Sequence, residues 1–240
     1  MASRVPLSLD HRTIDQHFER DPRTRLTIQD DALSELSKAF AAAHDLGSKI
    51  EGAASAIMSD ESRPLAQRQI DAKMTIKVLA EQATRRLDGA RARAAKELEQ
   101  IAQDSAPPSE PRNAQEIRNA LRSLPRAERA QIIAVAIEQG DHATISSMLN
   151  APSWLSGLTE EERAMRQHGW RAKHHADALA REQRLKAAME DFDRGGRAFL
   201  DFVAHVTPQA DAAVAAAKAA NNAIHDATQN TIANHKAAAE

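Results

Sequence analysis

From Asp31 to Ser59 the positions Leu33, Leu36, Phe40, Ala43, Gly47, Ile50, Ala54 and Ile57 recur at alternating steps of three and four residues. That spacing lays one apolar stripe along one face of a helix and excludes a strand, whose side chains alternate every second residue. A heptad seam of this kind needs another helix to face. Asp30 or Asp31 can cap its start, while Ser59, Asp60 and Ser62 ahead of Pro64 end it and open the next helix with proline in the first turn.

Two further seams follow. Between about residues 63 and 104, Ala72, Ile76, Leu79, Ala83, Leu87, Ala90, Ala94, Leu98 and Ile101 recur at a mean step closer to an undistorted helix, so this helix and its partner should run nearly straight. Forty residues of helix span roughly 60 Å at 1.5 Å per residue. A third seam runs through Leu185, Ala188, Phe192, Gly195, Phe199, Phe202 and Val206 in a helix read as continuous from about 160 to 206. Its Gly195–Gly196 pair marks either a kink or a close approach of two backbones. Beyond Pro208, Val214, Ala217, Asn221, Ile224, Thr228, Thr231 and His235 keep heptad spacing with small or polar side chains. Such an Ala-coil buries little area per residue, so it is expected to persist only in an oligomer or against another chain, with Asn221 setting register; a frayed polar helix is the rival reading.

The expected fold class is therefore all-α and elongated: a long helical hairpin, a small helical middle domain, and C-terminal long helices with coiled-coil-like seams. Residues 1–28, with two prolines and no sustained period, read as an extended arm with at most short helical turns. The hairpin occupies 29–104, and a Pro-rich linker 105–112 cannot continue a helix. The small domain, 113–158, holds three short helical stretches that must pack on something to be stable. Residues 159–240 carry the long helix, opened by a capping box from Thr159 to Glu162, and the Ala-rich segment. The candidate interface side chains are Leu33, Leu36, Phe40, Ile50, Ile57, Phe199, Phe202, Val214, Asn221 and Ile224.

Composition agrees with long, solvent-washed helices. The chain has 50 Ala, no Cys and a net charge of only −2 with both signs interspersed. Without cysteine there is no disulfide framework, no thiolate nucleophile and no Cys-based metal site. No apolar run approaches the roughly 20 residues of a membrane helix, and the N-terminus lacks an apolar signal core, so no membrane association is expected.

Chemical signatures are sparse. The glycine-rich nucleotide loops, the nucleophile elbow and the zinc-protease helix motif do not occur. His168, His174, His175 and Asp177 form the densest metal-like group, yet helical spacing turns His174 about 100° away from the face of His168 and His175, so they read as exposed polar positions. Carboxylate pairs sit at helix starts, where capping and the helix dipole account for them. No catalytic residue, cofactor, metal or small-molecule ligand is assigned, and the chain is expected not to be an enzyme. Residues 85–96 hold five Arg or Lys against one Asp. Arg85, Arg86, Arg91 and Arg93 are therefore candidate phosphate contacts for weak, non-specific DNA binding, although aromatics that would stack on bases are scarce.

The stretch His142 to Glu162 gathers large apolar side chains around a proline and a glycine. Trp154, Leu155 and Leu158 read either as an exposed anchor for a partner or as a short plug packed on Ile133, Ile137 and Leu149; the plug is the preferred expectation, since an Ala-rich chain must find a compact cluster somewhere. Residues 117–161, with the ALRSLP turn, the Gly140–Asp141 break and the LNAPSWLSGL passage, resemble a segment of uncharacterised helical proteins of tailed bacteriophages and prophages. The resemblance implies a virion or assembly component near the portal, tail or capsid interior, assembled in the bacterial cytoplasm, with itself and other virion proteins as partners. The expected function is a non-enzymatic structural or assembly protein. The alternatives are a cytosolic helical adaptor that recognises one partner protein, and a DNA-contacting packaging or ejection factor.

Overall fold

The computed structural model describes residues 5–208 together with residues 215, 216 and 219. Val214, Asn221 and Ile224, with the rest of the expected Ala-coil seam, lie outside the described residues. After a 3-10 turn at Leu7–Leu9 come α1 (Arg12–Asp15), α2 (Asp31–Ser59), α3 (Leu65–Asp104), α4 (Ala114–Arg122), α5 (Arg126–Gln139), α6 (His142–Leu149), α7 (Ser153–Ser156), α8 (Glu160–His174) and α9 (Ala176–Val206). The chain is all-α: among the described residues the only extended pairing is an isolated bridge between Arg20 and Thr27. Its described residues fall into two compact units, one within residues 1–92 and 188–240 and the other within residues 93–187.

The first unit is built on the seams. Asp30 caps α2 by accepting from the backbone N–H of Ala32 and Leu33 at 3.0 and 3.2 Å, and the stripe from Leu33 to Ile50 is buried as the spacing requires. Phe40 of α2 stacks on Phe192 of α9 with ring centroids 4.6 Å apart. The glycine pair of α9 does not break its helix. A Cβ on Gly195 would lie 2.5 Å from the Phe40 ring and 2.7 Å from the Ser8 carbonyl oxygen, so the second reading of that pair, close approach, is the correct one.

The N-terminal residues correct the expected arm. Leu9 and Ile14 are fully buried, Ser37 Oγ donates to the Asp15 carboxylate at 2.7 Å, and His17 Nε2 lies 2.9 Å from the Asp191 carboxylate. The segment thus packs on its own chain, because Leu9 and Ile14 complete the core that α2 leaves open. Residues 19–28 close a tight turn, in which Asp21 accepts from the N–H groups of Arg23 and Thr24, both at 2.8 Å.

The second unit is held by caps around one cluster. Gly140 adopts a left-handed conformation with φ 68°, and the Asp141 N–H reaches the Ala136 carbonyl at 2.9 Å, ending α5 in a Schellman turn. Asp141 then caps α6. Thr159 and Glu162 form the capping box that opens α8. The single helix expected from 160 to 206 is interrupted at His175, whose φ of −138° ends α8. The cluster comprises Leu121, Ile133, Ala136, Ile137, Ile145, Met148, Leu149, Leu158 and Trp170.

Candidate functional site: the Trp154 turn

The expected plug is only half realised. Leu158 is buried in the cluster and Leu155 is half-buried, but Trp154 is 76% exposed. The place foreseen for its indole belongs to Trp170, which is 1% exposed. The reason is local. Pro152, at ψ 156°, is the N-cap residue of α7, and Gly157 ends that helix in the left-handed region at φ 70°. Within the single helical turn Ser156 is the buried side chain, and Trp154, two residues before it, falls on the opposite, outer face, while Leu158 enters the cluster beyond the turn.

That turn is firmly held. The N–H groups of Leu155 and Ser156 donate to the Pro152 carbonyl at 2.9 and 3.0 Å, and the Gly157 N–H donates to the Ser153 carbonyl at 2.8 Å. Ser156 is fully buried, and Ser153 donates to Glu160 on the following helix. That bond, with a second from Arg163, holds the Glu160 carboxyl below the usual carboxylate range. A Cβ on Gly157 would meet Arg129 Nη1 at 3.1 Å and Arg122 Cγ at 3.4 Å. The indole therefore stands on an ordered base, whose end at Gly157 is packed by Arg122 and Arg129.

Around Trp170 the structure gathers histidines. The His174 ring lies 4.1 Å from the indole, and His142 meets it edge-on at 5.5 Å. His174 Nε2 donates to the Ile137 carbonyl at 2.6 Å, a bond that itself fixes the protonated nitrogen. These rings cover the indole. Among the described residues no group of three or more potential ligands converges as a metal would need.

Charged groups in the same unit do structural work. Arg171 pairs with Glu182 and donates from Nε to the buried Ser105 Oγ at 2.8 Å, and Lys186 reaches Glu182 at 2.5 Å. Burial pushes the Glu182 carboxyl up, but the hydrogen bonds from Arg171 and Lys186 outweigh it and hold the group below its usual range. Arg118, 6% exposed, joins Glu110 of the Pro-rich segment at 2.9 Å to the Ser147 carbonyl at 3.1 Å.

The other sequence candidates are distributed as follows. Leu33, Leu36, Phe40, Ile50, Phe199 and Phe202 are 5% exposed or less in the first unit, and Ile57 is half-buried, so these seam positions are consumed within the chain and offer little to another subunit. Arg85 stands in solvent 3.8 Å from Glu81, and Arg86 is exposed. Arg91 is committed to Asp193 by two bonds of 2.7 and 3.1 Å, which hold its guanidinium more firmly protonated. Arg93 is exposed and belongs to the second unit. A cleft of about 390 Å³ in the first unit holds His11, His44, Asp10 and Asp45; the His11 side chain is 49% exposed, so water competes for its contacts. No helix among the described residues is long and apolar enough to cross a membrane.

Sequence reasoning missed Trp170. Its signal was the composition of α8: only Met165 and Trp170 are bulky and apolar there, and a 15-residue helix must bury something to persist. Comparison with known proteins found no matching family model, curated protein or solved structure.

Proposed function

We propose that this chain is a non-enzymatic structural or assembly protein that packs on neighbouring subunits, with the Trp154 turn as its anchor. The observation that carries the reading is an indole 76% exposed on a turn whose backbone is fixed by Pro152 and Gly157. Leaving a large apolar side chain in water forgoes about 1.5–3 kcal/mol of burial, which a partner's pocket would recover. Tryptophan is enriched among the few residues that dominate binding energy, and an ordered base limits the entropy lost on docking.

Burial of the seam residues within the chain's own core moves the expected association from the seams to the turn. It also favours a second reading, an adaptor that recognises one different protein. DNA contact has less support, since Arg91 is engaged by Asp193. The likeness of residues 117–161 to tailed-phage helical proteins supplies the setting: a virion, with portal, tail or capsid subunits as partners.

Light scattering tests the leading reading. The purified chain is expected to gain mass with concentration, and Trp154→Ala to return it to monomer with an unchanged melt. A wild-type chain that stays monomeric at every concentration, and binds one different protein, would select the adaptor.

A further inference from the structure

The first unit carries a second apolar opening, far in sequence from the Trp154 turn. Between α3 and the C-terminal end of α9 runs a groove of about 440 Å³, floored by Ile76, Ala80 and Val203 and rimmed by Lys77, Glu81 and Arg85. Ala80 and Thr84 keep it wide, because their side chains are too short to fill the space. Its lining on α3 extends from residue 73 to residue 85, which at 1.5 Å per residue is about 18 Å, or roughly three turns of an apposed helix. On helical spacing Met74 and Val78 lie beside Glu81 and Arg85 along the outer margin, and they are 64% and 65% exposed. An apolar strip of that length between two helices fits an amphipathic helix laid into it, and methionine adapts its shape to such a surface.

Charge selects the occupant. Glu81 is shared between Lys77 at 3.9 Å and Arg85 at 3.8 Å, and both cations are at least three-quarters exposed, so the rim carries more positive than negative charge. A second copy of the same face would bring like charges together, whereas a helix with carboxylates beside its apolar stripe would complete both pairs. We infer that this groove docks an acidic amphipathic helix of a partner protein. The site involves no residue of the Trp154 turn and stands whether or not that turn is an anchor.

Fluorescence anisotropy on the full chain tests the assignment. The probe is a labelled four-turn peptide with Leu and Ile on one face and Glu on the other, compared with the same peptide carrying Lys in place of Glu. The acidic peptide is expected to bind, and the basic one to bind at least about tenfold more weakly. The pair Lys77→Glu and Arg85→Glu, on solvent-exposed side chains, should weaken the acidic peptide about tenfold or more, and Ala80→Gln should do the same by intruding on the floor. Circular dichroism on each variant confirms the helices, and Trp154→Ala should leave binding unchanged. Equal affinity for both peptides, binding that survives the groove substitutions, or no binding up to about 1 mM overturns the proposal. So does capture of duplex DNA or of anionic vesicles through Lys77 and Arg85 in preference to the acidic peptide.

Discussion

The two units solve the shortage of large side chains in opposite ways. The first spends small residues on proximity: Gly47, Ala43 and Gly195 let helices approach until Val5, Phe40 and Phe199 fill what remains. The second spends capping residues on short helices, and closes them over one large ring, Trp170. The first is therefore intolerant of added atoms, and the second of removed ones. The two tryptophans sharpen the contrast, because one completes the cluster while the other faces away from it.

The largest expected effect is Trp170→Ala. Emptying the centre of the second unit should cost about 3–5 kcal/mol, read as a fall in urea midpoint, with hydrogen exchange rising in α5, α6 and α8. A loss below about 1 kcal/mol would mean that the caps alone hold that unit, and the contrast would fail. Next in size is Gly195→Ala. One added methyl faces both the Phe40 ring and the Ser8 carbonyl, and backbone does not yield as a flexible side chain does. The expected cost is about 1–3 kcal/mol, with exchange rising at the N-terminal segment and α2. The same substitution at Gly196, which has open space around it, should be nearly neutral or slightly stabilising.

Acid should loosen the second unit more gently. The Asp141 carboxyl is held below its ordinary value by the Thr144 hydroxyl and by the N–H groups of Thr144 and Ala143, and Glu162 by the Thr159 N–H and then by Arg126. Carboxylates lowered in the fold contribute stability above the unfolded carboxylate range, near 4, and lose it as pH falls through and below that range. Melts recorded from pH 6 downward should therefore be flat at first, then decline below about pH 4. A decline beginning above pH 5 would contradict this assignment to the capping carboxylates.

Much of the fold was legible in the residues. The Leu33-to-Ile57 spacing located α2, the Ser59-to-Pro64 break located the turn after it, and the Gly140–Asp141 pair located the end of α5 and the start of α6. Periodicity, proline and left-handed glycine act locally, so they can be read without knowing the partner face. What a seam faces is not local. The stripe of Leu33, Leu36 and Phe40 reads the same whether it meets another subunit or α9 of its own chain. The turn at residues 152–157 was legible, but the outward direction of Trp154 was not. Whether Trp154 points inward depends on the orientation of a turn only four residues long, and on a competitor, Trp170, sixteen positions away in sequence. The N-terminal segment was misread for a related reason: Leu9 and Ile14 show no period, and only the gap they fill explains their burial.

The division of roles between the tryptophans is tested most directly by acrylamide quenching of Trp154→Phe against wild type, at a concentration where the chain is monomeric. The account predicts that the wild type shows a red-shifted, readily quenched component that the variant lacks, while the remaining Trp170 emits to the blue and resists the quencher, with the melt moving by no more than about 0.5 kcal/mol. A variant that loses the protected, blue component instead, or that melts several degrees lower, would contradict the outward placement of Trp154 and return it to the core.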